Sequence, residues 1–321
     1  MMRRRTGFAI GAAMALLAAA LAAGALAQTV PGTPAALLAG AKSWGYQLQK
    51  IRLTAIASAP YDVFVIDYSA DGTDAKAFSA ADIAALKVKP DGGRRIVLAY
   101  LSIGEAETYR YYWQADWETT PPSWLGETNK RWSTNVVVRF WEEGWQGIIF
   151  RGENNYLGRI IAAGFDGIYL DRVDVHQELE TEHPTAHEDM IAFVTALAAQ
   201  ARALKPGFLV VPQNAEELLE DAPYRDLIDG IAKEDLLFGD GRSKYPNPQK
   251  VIDLGVRRLK QMTRDRKPVF VVEYLDKPED IAAARKRIEG FGFIPHFAKR
   301  GLDVMRIGDL PPVRPPRGGK K

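Results

Sequence analysis

The sequence contains no cysteine and only four histidines among 321 residues. The absence of cysteine excludes disulfide bonds, thiol nucleophiles and cysteine-ligated metals. No GxGxxG or GxxxxGK[ST] motif follows a strand-like segment, and no HExxH, EF-hand or nucleophile-elbow pattern is present. These absences argue against nucleotide, zinc and serine-hydrolase chemistry, and we expect neither a metal nor a cofactor.

The N-terminus carries a small excess of positive charge that the rest of the chain lacks. Residues 1–27 combine three arginines, an apolar stretch from Phe8 to Leu26 and the triplet Ala25-Leu26-Ala27. This pattern is typical of an export signal cleaved near Ala27; a membrane anchor is the alternative, but alanine and glycine dominate the stretch. Beyond it, 39 basic residues face 40 acidic ones. That balance argues against nucleic-acid binding. From the signal pattern we expect an exported protein, periplasmic or extracellular, with no membrane attachment after cleavage. We also expect a monomer.

The body of the chain alternates strand-like and helix-like segments. Such alternation is typical of parallel βαβ units, and eight strands in a single domain predict a (β/α)₈ TIM barrel; an open doubly wound sheet is the alternative. We expect a linker over 28–41, the barrel over 42–310 and a basic, Pro/Gly-rich tail over 311–321. The eight candidate strands are 44–49, 61–69, 94–104, 134–141, 166–171, 207–214, 229–235 and 268–276.

Two acidic residues end the fifth and seventh predicted strands. Because side chains alternate along a strand, Asp171 shares a face with Tyr169 and Gly167, while Ile168 and Leu170 take the other. Glu234 shares its face with Ala232 and Gly230 in the same way. Both carboxylates should therefore point into the barrel mouth, where catalytic groups of such barrels lie. A strand-end aspartate often only caps a helix, but two inward carboxylates suit glycoside hydrolysis.

Histidines and aromatic residues supply weaker signals. His183, His187 and Glu188 lie close together at a predicted helix start, where exposed capping is commoner than metal binding. His176, two residues after Asp174, is a candidate for substrate contact. Tryptophans and tyrosines crowd segments 108–118, 123–132 and 140–145. They favour a sugar-stacking cleft, although each could also belong to a core beneath long loops.

Five blocks in order carry a family resemblance. YDVFVIDYSADG, VLAYLSIGEAE, GFDGIYLDRVD, VVPQN and IDGIAKEDLLF together resemble glycoside hydrolase family 114, over residues 42–300. The resemblance implies a barrel acting as an endo-α-1,4-polygalactosaminidase or related hydrolase, with Asp171 as nucleophile and Glu234 as general acid/base. Ala215 stands where the pattern favours glycine. A non-catalytic polysaccharide-binding barrel, or a hydrolase of a different glycan, remains the alternative.

The polar strand ends also suggest how substrate would be held. A cationic amino-sugar polymer needs acceptors, and Asp67, Glu105, Glu107, Asp174 and Asp240 are expected near the mouth. The complete set of candidate substrate-binding residues is Asp67, Tyr68, Tyr100, Glu105, Arg172, Asp174, Asn214, Glu273 and Tyr274.

Overall fold

The computed structural model of the chain describes residues 32–239 and 245–305. The expected signal peptide, the basic tail and Asp240 lie outside the described residues. The strands are β1 Trp44–Gln47, β2 Val63–Ile66, β3 Ile96–Ser102, β4 Glu105–Glu107, β5 Leu125–Thr128, β6 Asn135–Val138, β7 Gly167–Asp171, β8 Leu209–Pro212, β9 Ile231–Glu234, β10 Val269–Glu273 and β11 Ile294–Phe297. The helices are α1 Pro34–Ala39, α2 Leu53–Ala57, α3 Ala80–Leu86, α4 Glu143–Gln146, α5 Tyr156–Ala162, α6 Val175–Leu179, α7 Ala186–Leu204, α8 Ala222–Leu227, α9 Gln249–Arg264 and α10 Pro278–Gly290.

Eight of these strands run parallel and form a TIM barrel. They pair in the orders β1-β2-β3-β7-β8 and β9-β10-β11. A parallel bridge between Gln213 and Ala232 joins β8 to β9. At the opposite seam the Trp44 indole donates to the Ile294 carbonyl at 3.0 Å. The predicted fold class is confirmed, and all eight carboxyl ends open at one mouth.

The predicted strand at 134–141 is not a barrel strand. Its central part is β6, which pairs antiparallel with β4 and β5 in a separate three-stranded sheet. Only alternate residues of β6 are buried, as in a sheet with one exposed face, whereas the side chains of β2 and β3 are all buried. The eighth barrel strand is instead β11, which the sequence pattern does not reveal because the strand is short and contains Pro295. Asp171 therefore ends the fourth barrel strand and Glu234 the sixth.

Helix boundaries follow local sequence signals in most places. Ser79 begins α3 with a capping box, in which its hydroxyl accepts from the Asp82 backbone and Asp82 reaches back. Thr185 and Glu188 have the same spacing, which predicts the start of α7 correctly. The Thr185 hydroxyl, however, donates to Asp189 at 2.8 Å and makes no cap bond. In the described residues, no helix combines the length and apolarity that a membrane crossing would need.

Apolar side chains divide into an inner and an outer core. Tyr169 and Ala232 lie inside the barrel, whereas Ile168 and Leu170 pack between the strands and the helices. The alternation expected along β7 is therefore observed. Helix α1 lies within the segment predicted as a linker, and its fully buried Leu38 belongs to the inner core. Burying one leucine contributes about 1.5–3 kcal/mol, so this helix packs onto the barrel.

The long excursion between β3 and β7 holds most of the clustered aromatic residues. Trp117, Trp124 and Trp145 form a chain of ring contacts with centroids 5.0 and 5.2 Å apart. Trp145 is fully buried and donates to the Ile103 carbonyl at 2.8 Å. These rings form a core under the excursion and do not line a cleft. Among the described residues, Trp132 is the exposed tryptophan of this excursion, with 47% of its surface accessible.

Candidate active site

Asp171 and Glu234 stand at the carboxyl ends of β7 and β9, on the inner face of the barrel. Each is half-buried and is followed by a residue with left-handed backbone, Arg172 at φ +60° and Asp235 at φ +54°. Asn214 and Ala215, just after β8, are also left-handed, at φ +61° and +50°. Left-handed backbone at non-glycine residues is strained and tends to cluster at functional sites. It also explains why the family pattern favours glycine at Ala215.

The Gln213 side chain connects the two carboxyl groups. Its amide nitrogen donates to Asp171 Oδ1 and to Glu234 Oε2, each at 3.0 Å. The two oxygens are therefore no more than twice that distance, about 6 Å, apart. Tyr169, fully buried on the neighbouring strand, donates its hydroxyl to Gln213 Oε1. Both the oxygen and the nitrogen of the amide are therefore hydrogen-bonded, and side chains of neighbouring barrel strands hold the two carboxyl groups at this spacing.

Tyrosine hydroxyls complete the contacts of the pair. Tyr100 donates to Asp171 Oδ2 at 2.7 Å, and Tyr274 donates to Glu234 Oε2 at 3.2 Å. Burial raises the pKa of both phenols well above its usual value, with the negative charge of the nearby carboxyl group adding to the effect. Both hydroxyls therefore remain protonated donors throughout the pH range in which the two carboxyl groups titrate.

Burial raises the pKa of both carboxyl groups, and neighbouring negative charges add to the rise. For Asp171 the pKa rises to about 6, mainly through burial, and the Tyr100 hydrogen bond opposes the rise. For Glu234 it rises to about 7, through burial and then the charges of Asp171 and Asp235. Asp171 also accepts from the Arg172 backbone at 2.8 Å, so it has one donor more than Glu234. The environment favours ionised Asp171 beside protonated Glu234.

Arg172 and Asp174 border the pair but are themselves engaged. The Arg172 guanidinium forms ion pairs with Glu105 at 2.9 Å, with Glu178 at 2.8 Å and with Asp174 at 3.6 Å. Glu105 is buried and also accepts from the side chains of two asparagines, so it supports Arg172 and is not available to substrate. Asp174 keeps 28% of its side chain exposed. Glu178 is more exposed, at 56%, but Asp174 is the partly exposed acid of this group whose charge raises the pKa of Asp171.

Gly104 allows the loop after β7 to pack closely. A Cβ at this position would lie 2.3 Å from the Arg172 carbonyl oxygen. No other residue type has so little bulk, so the approach of the two loops requires glycine here.

On the other side of the mouth, basic side chains accompany Glu234. Asn214 accepts from the Glu234 backbone at 3.2 Å and from the Lys233 ammonium at 3.4 Å, so it positions β9. Arg300 donates to both oxygens of Asp235, at 2.8 and 2.9 Å, and stacks on Tyr274 at 4.1 Å. The mouth therefore contains cations as well as the acids expected there.

Asp67 and Tyr68 are not brought into the site as free groups. Asp67 is buried and forms a hydrogen bond and an ion pair with Arg110, at 2.9 and 2.7 Å. Arg110 has no exposed side chain and also pairs with Glu107 at 2.6 Å. Tyr68 is buried and stacks edge-on against Tyr156. Asp67, Arg110 and Glu107 thus form a buried ion cluster in which each charge is paired.

Replacing Arg110 by methionine is expected to destabilise the fold by about 3–5 kcal/mol, because Asp67 and Glu107 would remain buried without a counter-charge. Urea denaturation of both proteins measures the difference. Arg159→Met is the matched control, since its ion pair with Asp74 is partly exposed and such pairs contribute about 0–1 kcal/mol. Equal losses in the two variants would contradict a special role for the cluster.

Glu273 points away from the barrel interior. It is fully buried, its Oε1 accepts from the Leu237 backbone at 2.6 Å, and burial raises its pKa to about 8. The residue holds the loop that follows β9. It does not contact the two carboxyl groups, so it supports the site indirectly.

The histidines have structural partners. His176 is buried, is hydrogen-bonded to the Val173 carbonyl at 2.9 Å and is paired with Glu217 at 3.1 Å. Contrary to the expectation, it is therefore not exposed to substrate. His183 stacks on Trp141 with centroids 4.0 Å apart. Over the described ranges, no group of three or more His, Cys, Asp or Glu residues is arranged to hold a metal ion.

Four residues that the sequence analysis did not select contribute to the site. Gln213 and Tyr169 connect the carboxyl groups, while Lys233 and Arg300 supply positive charge near them. Tyr169 and Gln213 could have been found from the sequence, because both share the inward face that Asp171 and Glu234 define. Arg300 lies beyond β11, which was not recognised as a barrel strand.

Comparison with known proteins supports these observations. The model of glycoside-hydrolase family GH114 matches residues 22–308. An uncharacterized protein of Deinococcus radiodurans is 36% identical over 285 residues, which cover 86% of this chain and 87% of that protein. An uncharacterized protein of Thermotoga maritima is 33% identical over 291 residues, covering 87% of each chain.

A solved structure shares the fold. The glycoside hydrolase domain of PelA from Pseudomonas aeruginosa superposes with a TM-score of 0.63 and 20% identity, over 83% of this chain and 97% of that chain. At this identity the likeness shows a common barrel.

Proposed function

The chain belongs to glycoside hydrolase family GH114 and is a glycoside hydrolase, and from this we propose that it cleaves an α-1,4-linked, galactosamine-containing polysaccharide with retention of anomeric configuration. The family resemblance supports the sugar and the endo mode of cleavage. The N-terminal pattern of residues 1–27 supports export. The arrangement of Asp171 and Glu234 supports the mechanism.

The carboxyl spacing is the observation that carries the mechanism. Retaining glycosidases place their two carboxyl groups about 5–5.5 Å apart, whereas inverting enzymes leave about 6.5–9.5 Å for a water molecule. Because one Gln213 nitrogen bonds to both groups at 3.0 Å, the bonded oxygens are within about 6 Å. For this pair of oxygens the limit lies below the inverting range, which supports direct attack by a carboxylate.

Hydrogen bonding and charge distinguish the two roles. Asp171 accepts from Tyr100, Gln213 and its own following amide, all of which stabilise the ionised form. Glu234 has fewer donors and several negative neighbours, so it holds a proton more strongly. We therefore assign Asp171 as nucleophile and Glu234 as acid/base.

The reaction then proceeds in two displacements. Glu234 gives its proton to the glycosidic oxygen while Asp171 attacks the anomeric carbon, so the C–O bond to the leaving chain breaks and an ester to Asp171 forms. A water molecule next gives a proton to Glu234 and attacks the same carbon, which breaks the ester and restores both carboxyl groups.

The test is hydrolysis of defined polymers by the purified protein. Deacetylated and acetylated galactosamine polymers are incubated with it, and the anomeric configuration of the first product is followed by proton NMR. Shortened chains with retained configuration would support the proposal. An inverted product would overturn the mechanism, and binding without cleavage would indicate a polysaccharide-binding barrel.

Asp174 provides a test of the cationic substrate. Asp174→Asn is expected to raise KM for deacetylated polymer about three- to tenfold at low salt, with a smaller change in kcat, because an ammonium group would lose an accessible partner. The control is Glu178→Gln, because Glu178 also pairs with Arg172 but is more exposed than Asp174. The effect should shrink at high salt. Equal KM changes with acetylated polymer would contradict an amino-sugar contact.

Activity should depend on pH as a narrow bell. The first displacement needs ionised Asp171, so the rate should rise with pH through about 6, and it needs protonated Glu234, so the rate should fall through about 7. These limits belong to the coupled pair. A profile of kcat/KM between pH 4 and 9 measures both limbs, and a rate that keeps rising above pH 8 would contradict the assignment.

A further inference from the structure

The contacts of Gln213 exceed what strand-end packing requires. Its side chain is buried, and each of its polar atoms is bonded to another barrel side chain. A primary amide nitrogen has two hydrogens, and here one goes to Asp171 and the other to Glu234. The Tyr169 hydroxyl occupies the amide oxygen, so the nitrogen is held toward the carboxyl groups.

The same bonds distinguish the two oxygens of Glu234. Oε2 accepts from the Gln213 amide and from the Tyr274 hydroxyl. An oxygen that accepts two hydrogen bonds is a poor position for the acid proton, because the proton would point at another donor. The proton is therefore directed to Oε1, the oxygen left for the leaving group.

We propose that Gln213 is a positioning residue that holds Asp171 and Glu234 at the separation required for retention and directs the transferable proton of Glu234 to Oε1. The assignment of these roles rests on the proposed function. The bridge itself rests on the contacts of three neighbouring strands.

The experiment uses the full chain with Gln213→Met, which preserves side-chain length and removes both donors. The matched control is Gln47→Met, because Gln47 is also buried at a barrel strand end and its amide donates to two backbone carbonyls at 2.9 and 3.3 Å. Carbon-13 NMR of labelled carboxyl groups gives the apparent pKa values of the catalytic pair. Kinetics on polymer give kcat and KM.

Gln213→Met is expected to raise the apparent pKa values of the pair by about one pH unit, because a donor to the ionised form is lost. It should lower kcat about 10²-fold with little change in KM. Gln47→Met should reduce stability without moving the pKa values. Unchanged titration in Gln213→Met, or equal shifts in both variants, would overturn the proposal.

Gln213→Glu keeps the proposal testable if the methionine variant does not fold. It places a third carboxyl group between the other two, so like-charge repulsion should raise the apparent pKa values of the pair further and activity at neutral pH should be low. Unchanged titration in Gln213→Glu would count against the bridge. Because the NMR titration needs no substrate, a wild-type protein that cleaves no galactosamine polymer would refute the proposed function and leave the bridge assessable.

Discussion

Asp171→Asn is expected to lower turnover by more than the roughly 10²–10⁴-fold that loss of a general acid/base group costs, because the covalent intermediate can no longer form. The fold should gain stability at neutral pH. The pKa of Asp171 rises from 3.8 to about 6, so folding an ionised carboxyl group costs about 3 kcal/mol above pH 6, and an amide avoids that cost. Initial rates and thermal denaturation at pH 7 measure the two effects.

The sign of the stability change separates a catalytic from a structural role. A raised carboxyl pKa means that the folded protein binds protons more tightly, so its stability falls as pH rises from about 4 to about 6. At pH 4 the gain from Asp171→Asn should therefore disappear. A variant that lost both activity and stability at pH 7 would point to damaged packing and would contradict a purely catalytic role for Asp171.

The proposed catalytic pair was selected from sequence because two regularities coincide. Parallel strands place their carboxyl ends at one mouth, and the alternation along each strand identifies the inward residue. Neither inference needs the strand count to be correct. Asp171 and Glu234 were therefore selected even though 134–141 was assigned to the barrel and β11 was missed.

The surrounding residues could not be predicted in the same way, because their partners are distant in sequence. Asp67 appeared to be an open mouth residue, but Arg110, 43 positions later, folds back and forms a hydrogen bond with it at 2.9 Å. Glu105 likewise forms an ion pair with Arg172. A sequence shows which residues carry charge, whereas neutralisation depends on loop paths that no local pattern encodes.

The aromatic segments illustrate a related limit. Clustered tryptophans suit both a sugar cleft and a small core, and composition does not separate these uses. The structure buries Trp124 and Trp145 under the excursion between β3 and β7. Long insertions need apolar area of their own to stay ordered, and that need accounts for the cluster.

Glu234→Ala is expected to lower turnover on polymer about 10²–10⁴-fold and to respond to azide in a way that Asp171→Ala cannot. With a substrate whose leaving group needs no proton, such as a glycosyl fluoride, Asp171 should still form its ester in Glu234→Ala. Hydrolysis of that ester then lacks a base. Azide needs no deprotonation, so it should accelerate release about 10²-fold and give a glycosyl azide of retained configuration.

In Asp171→Ala the same anion would occupy the vacated nucleophile position and attack the substrate directly. The glycosyl azide should then have inverted configuration, because a single displacement has replaced two. Proton NMR of the two products distinguishes these outcomes. If the configurations were exchanged between the variants, Glu234 would be the nucleophile and Asp171 the acid/base. The raised pKa of Glu234, held up by burial and by the charges of Asp171 and Asp235, argues for Glu234 as the acid/base, since the group that keeps its proton to higher pH is the better proton donor at neutral pH.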